Sequence, residues 1–515
     1  MSNIFAREQT PAEVIEAIGG HGGRGRAWDD LDEDDRSLGV AKLRLAGVYD
    51  DRQDGFFMLR VRIPGGRLTA DQADVVARVT RDFGERPGGE DGPERFVEIT
   101  TRQDLQLHWI RFESLGQIWR RLEAVGLTSE QACGDTLRNV TSCAVDGIDA
   151  AAVLDTAPAV GAIGELARDE PRLTAFLPRK FKVAVTGCPT DCVVARLHDL
   201  AFTPARRDGK LGFNVHAGGG LSDSPRLASA LDLFARPEEA AAVVRAALRL
   251  FVDRGDFQNK AVNRFRVLVH ELGPETVAEE IRSRLPFRAQ AAGEDLSTWR
   301  AEDHLGVHAD RFGRRFVGLC VPLGRLFAEE LAEVARVART HGDGGIRLTQ
   351  RQNLVLTGVR DVHPLLGEEI VGRFPAFPDP FERAVIACTS APFCKFGILN
   401  VKAYGAELIE RLRAGVPRER WGALEGLRIH LSGCKASCAQ VQAAHIGLRA
   451  SMAKAEDAYA DGFDVALGGD VGAGRLGRWK ALEIEAGRAF DAVAEALTRA
   501  EGPEDAAARF EEARG

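Results

Sequence analysis

Apolar and polar residues alternate in two strand-like segments that lie about 250 residues apart. The first is T-T-R-Q-D-L-Q-L-H-W-I at 100–110, and the second is T-Q-R-Q-N-L-V-L-T-G-V at 349–359. Alternation with a period of two predicts a β-strand with one face in the core. Alanine-rich stretches at 237–252 and 481–499 predict helices, and strand–helix–strand units of this kind indicate an α+β fold.

Several segments recur in the same order, which identifies an internal duplication of the chain. Arg102 of the first copy thereby corresponds to Arg351 of the second copy. The matched pairs of segments are 47–52 with 306–311, 100–110 with 349–359, 185–192 with 431–438, and 212–220 with 462–470.

Three polar segments lie outside these matches. Turn-forming and polar residues at 286–300 predict a linker between the copies. The acidic run at 29–35 is interpreted as a solvated surface segment, and 500–515 as a polar terminal helix.

The composition limits the class of protein. The chain has 515 residues, of which 45% are hydrophobic and 28% are charged. Because a single core stops growing near roughly 250–300 residues, this length predicts two or three cores. The net charge of -8 disfavours binding to nucleic acid or to an anionic membrane. No apolar run of about 18 residues and no secretory signal pattern occur, so we expect a cytoplasmic protein without membrane contact.

Four cysteines of the second copy form two short motifs, a C-x5-C segment (388–394) and a C-x3-C segment (434–438). Four thiolates in such motifs suit an iron–sulfur cluster, and cysteines that cluster in this way favour metal ligation over disulfides. The x3 spacing predicts that Cys434 and Cys438 share one face of a helical turn. The preceding Gly433 permits a tight entry of the chain into this turn. The C-x5-C segment is predicted to be a loop. Zinc, or buried cysteines that only pack, are the alternatives.

The first copy retains Cys143, Cys188 and Cys192, but the position of the remaining cluster cysteine falls near Asp149. Because a fourth ligand is missing, we expect no second cluster and interpret these three cysteines as buried thiols.

Cations accumulate near the predicted strands of the first copy. In L-P-R-K-F-K-V (177–183) a period of two places both lysines on one face of a strand and the apolar residues on the other. Any one of these cations is most simply explained by a surface salt bridge, but together they predict an anion-binding cage. The residues concerned are Arg102, Arg138, Arg179, Lys180 and Lys182.

Two glycine-rich strings match the dinucleotide-binding pattern G-x-G-x-x-G, at 20–25 and 472–477. The first does not follow a strand, and the second has no counterpart in the first copy. We therefore expect no flavin or nicotinamide domain in this chain.

Taken together, these motifs resemble the siroheme-dependent nitrite and sulfite reductases, over roughly residues 38–480. The resemblance implies an α+β, internally duplicated fold with two ferredoxin-like half-domains and two siroheme/[4Fe–4S] α/β domains. The segments expected are an N-terminal arm 1–37, a half-domain 38–112, a siroheme/substrate domain 113–285, a linker 286–300, a second half-domain 301–375, a [4Fe–4S]/siroheme domain 376–499 and a tail 500–515.

The resemblance also implies the roles of individual residues. In this family a [4Fe–4S] cluster is bound by four cysteines, here Cys388, Cys394, Cys434 and Cys438, and the last of them also bridges to the siroheme iron. The residues implied to hold the substrate are Arg102, Arg138, Lys180 and Lys182, and those implied to contact siroheme are Cys438, Arg179, Arg102 and Arg138. Reduced ferredoxin is the implied electron donor, and the implied oligomeric state is a monomer.

The substrate expected from the resemblance is nitrite, reduced to ammonia, with sulfite reduction as the alternative. Segments 388–394 and 134–141 resemble nitrite-reducing members. The position of Lys182 instead resembles that of the sulfite reductases, which carry Lys there, whereas many plant-type nitrite reductases carry Asn at the same position.

Two departures from the family accompany this ambiguity. Tyr49 resembles a tyrosine that some sulfite-reducing members pair with a cysteine, but Thr136 stands where that cysteine would be. Lys435 and Ala436 replace the usual Pro-Asn in the C-x3-C segment.

Outside the reductases, an oxygen-using cobalamin-pathway enzyme and a redox-sensing cluster protein are alternatives, and the cation cage disfavours both.

Overall fold

A computed structural model of the protein describes residues 6, 8–19, 27–85, 95–454 and 458–514. The glycine string at 20–25 lies outside the described residues. The chain divides into two compact units. The first unit comprises Met1–Gly220, Arg226–Gly318 and Leu326–Gly372, and the second comprises Leu221–Pro225, Leu319–Arg325 and Arg373–Gly515.

The strands and helices below are numbered in chain order. The strands are β1 Val48–Asp50, β2 Phe56–Val61, β3 Arg67–Thr69, β4 Phe96–Ile99, β5 Leu105–Arg111, β6 Leu137–Ser142, β7 Phe181–Val185, β8 Leu200–Arg207, β9 Lys210–Ala217, β10 Ser229–Ala235, β11 Glu294–Asp295, β12 Gly306–Ala309, β13 Arg315–Leu319, β14 Arg325–Phe327, β15 Gly345–Leu348, β16 Leu354–Val359, β17 Val385–Ala387, β18 Ile429–Ser432, β19 Ile446–Lys454, β20 Tyr459–Leu467 and β21 Arg478–Glu485. The helices are α1 Pro11–Gly19, α2 Glu33–Leu43, α3 Ala70–Phe83, α4 Leu115–Glu123, α5 Ala157–Asp169, α6 Pro171–Thr174, α7 Ala240–Arg254, α8 Phe265–Leu272, α9 Pro274–Ser283, α10 Ala328–His341, α11 Val362–Leu366, α12 Glu369–Arg373, α13 Pro380–Ala384, α14 Val401–Gly415, α15 Ala486–Arg499 and α16 Ala506–Arg514.

Two five-stranded sheets of the first unit are built by the two copies of the repeat, with orders β1-β2-β5-β4-β14 and β12-β13-β16-β15-β3. Each sheet therefore takes one edge strand from the other copy. The pairing of β3 with β15 is antiparallel and places Leu68 opposite Ile346. This exchange was not predicted from the sequence.

The duplication is also visible in the α/β sheets. In the first unit the order is β10-β9-β8-β7-β6, with β6, β7 and β8 parallel and the other two antiparallel. In the second unit the order β17-β18-β19-β20-β21 has the same directions, since β17, β18 and β19 are parallel. Each sheet packs against helices in its own buried apolar core, which includes α5 and α7 in the first unit and α14 and α15 in the second.

The predicted strand at 100–110 is shorter than expected, and Arg102 does not lie in it. A turn precedes β5, in which the N–H of Gln103 donates to the carbonyl of Thr100 at 3.0 Å and Gln103 has φ = 61°. The strand itself is not half-buried, because every residue from Leu105 to Ile110 is buried. Both faces of β5 are therefore covered.

The predicted helices exist, but their first residues differ. The stretch at 481–499 begins as β21, and α15 starts only at Ala486, where the carboxylate of Glu485 accepts from the N–H groups of Gly487 and Arg488. Similarly, α7 starts at Ala240 rather than at 237. Residues 500–515 contain the predicted terminal helix as α16.

The interpretation of the acidic run 29–35 as a solvated segment is partly wrong. Asp32 caps α2 by accepting from the N–H of Asp35 at 2.7 Å, and Asp35 is buried. An acidic first turn favours a helix N-terminus, so this run starts a helix. In the described part of the chain, no helix has the length and apolar character needed to span a bilayer.

Candidate functional site

The four cysteines of the second copy meet at one edge of the sheet of the second unit. Cys388 directly follows β17, and Cys434 follows the neighbouring parallel strand β18. The N–H of Gly433 donates to Sγ of Cys388 at 3.3 Å. Burial, followed by the charges of Cys438, Cys434 and Cys394, raises the pKa of Cys388 well above its usual range. The N–H of Ile398 also donates to the carbonyl of Gly433 at 2.9 Å, so backbone contacts hold the two cysteine segments together, as a common metal centre requires.

The local backbone explains this convergence and corrects one prediction. The C-x3-C segment is not helical, because the N–H of Ser437 closes a turn onto the carbonyl of Cys434 at 3.2 Å while Ser437 has φ = 53°. The tight approach at Gly433 is confirmed, since a Cβ there would lie 1.7 Å from Oγ of Ser390 in the other motif. The C-x5-C segment is a loop, as predicted.

Exposure differs among the four cysteines. Cys388, Cys394 and Cys434 are partly buried, whereas Cys438 is exposed. Four converging thiols, three of them partly shielded from water, fit a [4Fe–4S] cluster. The exposed sulfur of Cys438 has room to contact a further group.

The cations predicted for the first copy converge in the first unit. Arg138 lies on β6 and Lys182 on the adjacent parallel strand β7, and Lys180 immediately precedes β7. Burial, followed by repulsion from Arg102 and Lys180, lowers the pKa of Lys182 well below its usual range. Burial, with Arg138 as a repelling neighbour, lowers the pKa of Arg102 to about 10. The structure therefore brings together all four cage residues named from the sequence.

Arg102 is fixed by the residues around its turn. Its guanidinium donates to the carbonyl of Asn139, and the amide of Asn139 donates back to the carbonyl of Arg102 at 3.2 Å. The neighbouring Gln103 donates to the carbonyl of Ser142 at 2.7 Å and accepts from its N–H at 2.9 Å. Within the described residues, the buried Nε of Arg102 donates to no group. A buried donor without an acceptor marks a place where an anion fits.

Arg138 and Arg179 are more committed to protein partners. Arg138 donates to the carbonyls of Ala132 and Gly134 at 2.8–3.0 Å, and it lies 3.5 Å from the hydroxyl of Tyr49. Arg179 forms an ion pair with Asp135 at 3.1 Å. Arg138 therefore forms part of the cation cluster beside Arg102, whereas Arg179, which directly precedes Lys180, is partly exposed and paired with Asp135.

Three residues of this region were not identified from the sequence. Asp199 is fully buried, accepts from Nη2 of Arg264 at 3.1 Å on both oxygens and accepts from the backbone N–H of Lys182 at 2.9 Å. Burial, followed by Arg102 and Lys182, lowers the pKa of His198 well below its usual range, so that this imidazole is neutral. The only local signal was the polar pair at 198–199 directly before the apolar strand β8.

Known proteins with similar sequences place this site in a family. A domain model described as the nitrite/sulfite reductase ferredoxin-like half domain matches residues 49–125 and again 308–365. A second model, described as the nitrite and sulphite reductase 4Fe-4S domain, matches residues 133–288. The repeated half-domain match confirms the duplication.

Whole-length relatives agree with these matches. The assimilatory ferredoxin-dependent nitrite reductase of Haloferax mediterranei is 37% identical over 470 residues, which cover 86% of this chain and 79% of the relative. The ferredoxin–nitrite reductase of Synechococcus elongatus is 36% identical over 455 residues, 86% of each chain. The solved structure of the Mycobacterium tuberculosis NirA protein superimposes with a TM-score of 0.86 at 26% identity, and covers 96% of this chain and 93% of that one.

The duplicated α+β fold and its cysteine centre define an iron–sulfur oxidoreductase. The chain belongs to the family of nitrite and sulphite reductases, and the predicted fold class is confirmed.

Proposed function

We propose that this chain is an assimilatory ferredoxin-dependent nitrite reductase, which reduces nitrite to ammonia in a six-electron reaction. The observation that carries the proposal is the partly buried cluster of Arg102, Arg138, Lys180 and Lys182, in which burial, followed by repulsion between the cations, lowers the pKa values of Arg102 and Lys182. The positive charge of such a cluster is not compensated until an anion binds in it. The names of the two relatives above, both nitrite reductases, support nitrite as that anion.

Binding follows from this electrostatic arrangement. At roughly 4 Å and an effective dielectric constant near 20, each cation attracts a monovalent anion by about 4 kcal/mol before desolvation is subtracted. Arg102 offers the buried Nε donor described above, and its orientation is fixed by Asn139 and Gln103. The substrate is therefore oriented by donors that are already in place, and little reorganisation is required when it binds.

Lys182 is suited to hold and release a proton at Nζ. Its lowered pKa makes the ammonium group give up a proton more easily than an exposed lysine does, and an anion nearby favours the ammonium form. A proton on Nζ can therefore be donated to a substrate oxygen as that oxygen leaves. Asp199, through the backbone N–H of Lys182, positions this residue.

The cofactors proposed are siroheme and a [4Fe–4S] cluster. Cys388, Cys394, Cys434 and Cys438 would hold the cluster, and the exposed Cys438 would also contact siroheme. Arg102, Arg138 and Arg179 would contact siroheme carboxylates. When bound, these groups supply an iron centre for the anion and electrons that arrive one at a time.

The remaining proposals concern the setting of the enzyme. We propose reduced ferredoxin as electron donor, as the names of the relatives state for those proteins, and a cytoplasmic monomer. Light scattering coupled to size exclusion would test the monomer. Fractionation of the source cells would test the cytoplasm.

The decisive experiment compares kcat/KM for nitrite and for sulfite on the purified, siroheme-loaded protein with one chemically reduced donor. A preference for nitrite of at least about tenfold, which corresponds to about 1.4 kcal/mol of transition-state binding, is expected. A tenfold preference for sulfite would contradict the proposed substrate. No turnover of either anion would contradict the reductase assignment itself.

Sulfite reduction is retained as a second candidate because of Lys182. A further cation suits the more highly charged sulfite, and the repulsion that Arg102 and Lys180 exert on Lys182 supports its membership of the cation cluster. For Lys182→Asn, sulfite turnover should fall more than nitrite turnover. Equal losses would show that this lysine does not discriminate between the anions.

A further inference from the structure

The three cysteines of the first copy form a compact buried group with a histidine. Sγ of Cys188 lies 3.3 Å from Sγ of Cys143, and Nε2 of His304 lies 3.4 Å from the same sulfur. The ligand atoms of Cys143, Cys192 and His304 all lie within 4.8 Å of one another. The four residues are at most 9% exposed. The predicted burial of the thiols is confirmed, but a fourth donor, His304, was missed.

This group lies at the position that corresponds to the cluster of the second copy. Cys143 directly follows β6, as Cys388 directly follows β17. The residues two positions beyond Cys192 and Cys438, Val194 and Gln440, both adopt the left-handed conformation, with φ of 52° and 60°. The two C-x3-C segments therefore share the conformation of the residue two positions beyond the last cysteine, but they differ inside the motif, where Ser437 is left-handed and the corresponding Asp191 is not.

The distances favour a single ion over a cluster. A four-iron cluster needs each thiolate on a different iron, whereas two sulfurs 3.3 Å apart can share one metal. A tetrahedral Zn²⁺ with Zn–S of about 2.3 Å and Zn–N of about 2.0–2.1 Å sets sulfurs about 3.8 Å apart and sulfur and nitrogen about 3.6 Å apart. The two separations measured from Cys143, 3.3 Å to Cys188 and 3.4 Å to His304, lie within half an ångström of these values. The compact triad comprises Cys143, Cys192 and His304, and Cys188 contacts it through Cys143. We propose that this triad binds one structural Zn²⁺ and that the side chain of Cys188 turns from Cys143 to the ion as the fourth ligand.

The surroundings of His304 fit this role. Its Nε2 faces Cys143, and its Nδ1 lies 3.8 Å from a carboxylate oxygen of Glu302. A carboxylate behind a ligating imidazole is the usual second layer of a zinc site, because it fixes the orientation and tautomer of the ring. The backbone is fixed as well, since a Cβ at Gly318 would lie 1.9 Å from the carbonyl oxygen of His304.

The proposed zinc site attaches the segment between the two copies to the loop that follows β7 of the first α/β sheet. The N–H of Thr298 donates to the carbonyl of Pro189, and the N–H of Asp191 donates to the carbonyl of Arg300, both at 2.7 Å. These backbone bonds join the first-copy C-x3-C turn to the segment that leads to His304. With four protein ligands and no open position, the ion acts as a staple, and this conclusion does not depend on the proposed function.

The first test is the metal content of the full-length, siroheme-loaded protein purified from zinc-supplemented cells. Mass spectrometry of metals should find about one zinc per chain in addition to the iron of the cofactors. Less than about 0.1 zinc per chain would overturn the proposal. Iron in excess of one [4Fe–4S] cluster and one siroheme would also overturn it, because this group would then hold iron.

Zinc K-edge X-ray absorption tests the ligand set without interference from iron. The expected first shell has three sulfurs at about 2.3 Å and one nitrogen at about 2.0–2.1 Å. A four-sulfur shell would place zinc on the other cysteine set, and a shell of oxygen and nitrogen only would indicate adventitious zinc. Either result would overturn the assignment.

Variants then locate the site. Cys192→Ser and His304→Ala should each reduce bound zinc at least about threefold and leave the iron content unchanged. Cys320→Ser, at a buried cysteine outside the group, is the matched control and should retain the zinc. If all three variants keep wild-type zinc, or if intact mass shows a Cys143–Cys188 disulfide in the wild type, the proposal fails. The wild-type measurements remain decisive if a variant does not fold.

Discussion

Removing the buried carboxylate of Asp199 should destabilise the first unit strongly. This residue is fully buried and accepts from Nη2 of Arg264 at 3.1 Å on both oxygens, and from the N–H of Lys182 at 2.9 Å. The Arg264 side chain is only 11% exposed, so its charge has little access to water. In Asp199→Asn, a buried guanidinium is left beside the cation cluster without its counter-charge.

The expected loss is about 3–5 kcal/mol, the usual cost of removing one partner of a buried ion pair. Most of this cost arises from the charge that remains, and not from lost packing, because Asn and Asp have nearly the same shape. The double variant Asp199→Asn/Arg264→Met should therefore recover more than roughly half of the loss, since it removes the uncompensated charge. Asp232→Asn is the matched control, because Asp232 pairs with Arg282 at the surface and is 65% exposed.

Hydrogen–deuterium exchange of peptides that cover β7 and β8 measures the local free energy of opening. A loss of 3–5 kcal/mol predicts that the slowest amides of these strands exchange about two to three and a half orders of magnitude faster in Asp199→Asn. The control should change by less than about 1 kcal/mol. Wild-type exchange in Asp199→Asn, or an equal effect of Asp232→Asn, would refute the reasoning.

Three further changes have defined outcomes. In the wild type, the affinity for nitrite should fall as pH rises through the lowered pKa of Lys182. In Lys182→Met, the nitrite Kd measured by optical titration of the siroheme-loaded protein should lose this pH dependence. An equal dependence of Kd on pH in both proteins would contradict the role of Lys182. Gly433→Ala should reduce bound iron by roughly half or more, because the new Cβ meets Ser390, whereas Gly422→Ala has open space and should not. Burial lowers the pKa of His108, but Asp51 and Glu98 outweigh it, so that the pKa is raised. The contribution of His108 to folding stability should therefore be complete below about pH 6.5 and be lost as pH rises through the raised pKa. His108→Gln should abolish this pH dependence of the thermal unfolding temperature.

The parts of the site that the sequence predicted are those encoded by short motifs. The C-x5-C and C-x3-C segments needed only their own loops to bring sulfur atoms to one sheet edge. Lys180 and Lys182 followed from strand periodicity, and Phe181 and Val183 are indeed fully buried on the opposite face. In each case the interaction is local, so spacing along the chain determines position in space.

The residues that were missed act over long sequence distances. Asp199 and Arg264 meet only after β8 and α8 have packed, and neither residue type is unusual in its segment. The exchanged strands β3 and β14 are three residues each, too short for a periodic pattern to identify the sheet they join. The helical turn predicted for Cys434 and Cys438 failed because Ser437 adopts a left-handed conformation, which spacing does not reveal.

The two copies also show what a duplicated backbone does and does not determine. Strands β8 and β19 begin the same number of residues beyond Cys192 and Cys438, at Leu200 and Ile446, so both copies place the C-x3-C segment at the same distance along the chain from the following strand. The two copies differ in the origin of the fourth donor. In the second copy it is Cys394, which lies in the same loop as Cys388, and in the first copy it is His304, which lies far along the chain. A cysteine in that loop can bind a separate corner of a four-iron cluster, whereas an imidazole at 3.4 Å from a sulfur suits one small ion. The fourth ligand, and not the shared position of the C-x3-C segment in the fold, therefore determines which metal each copy can hold.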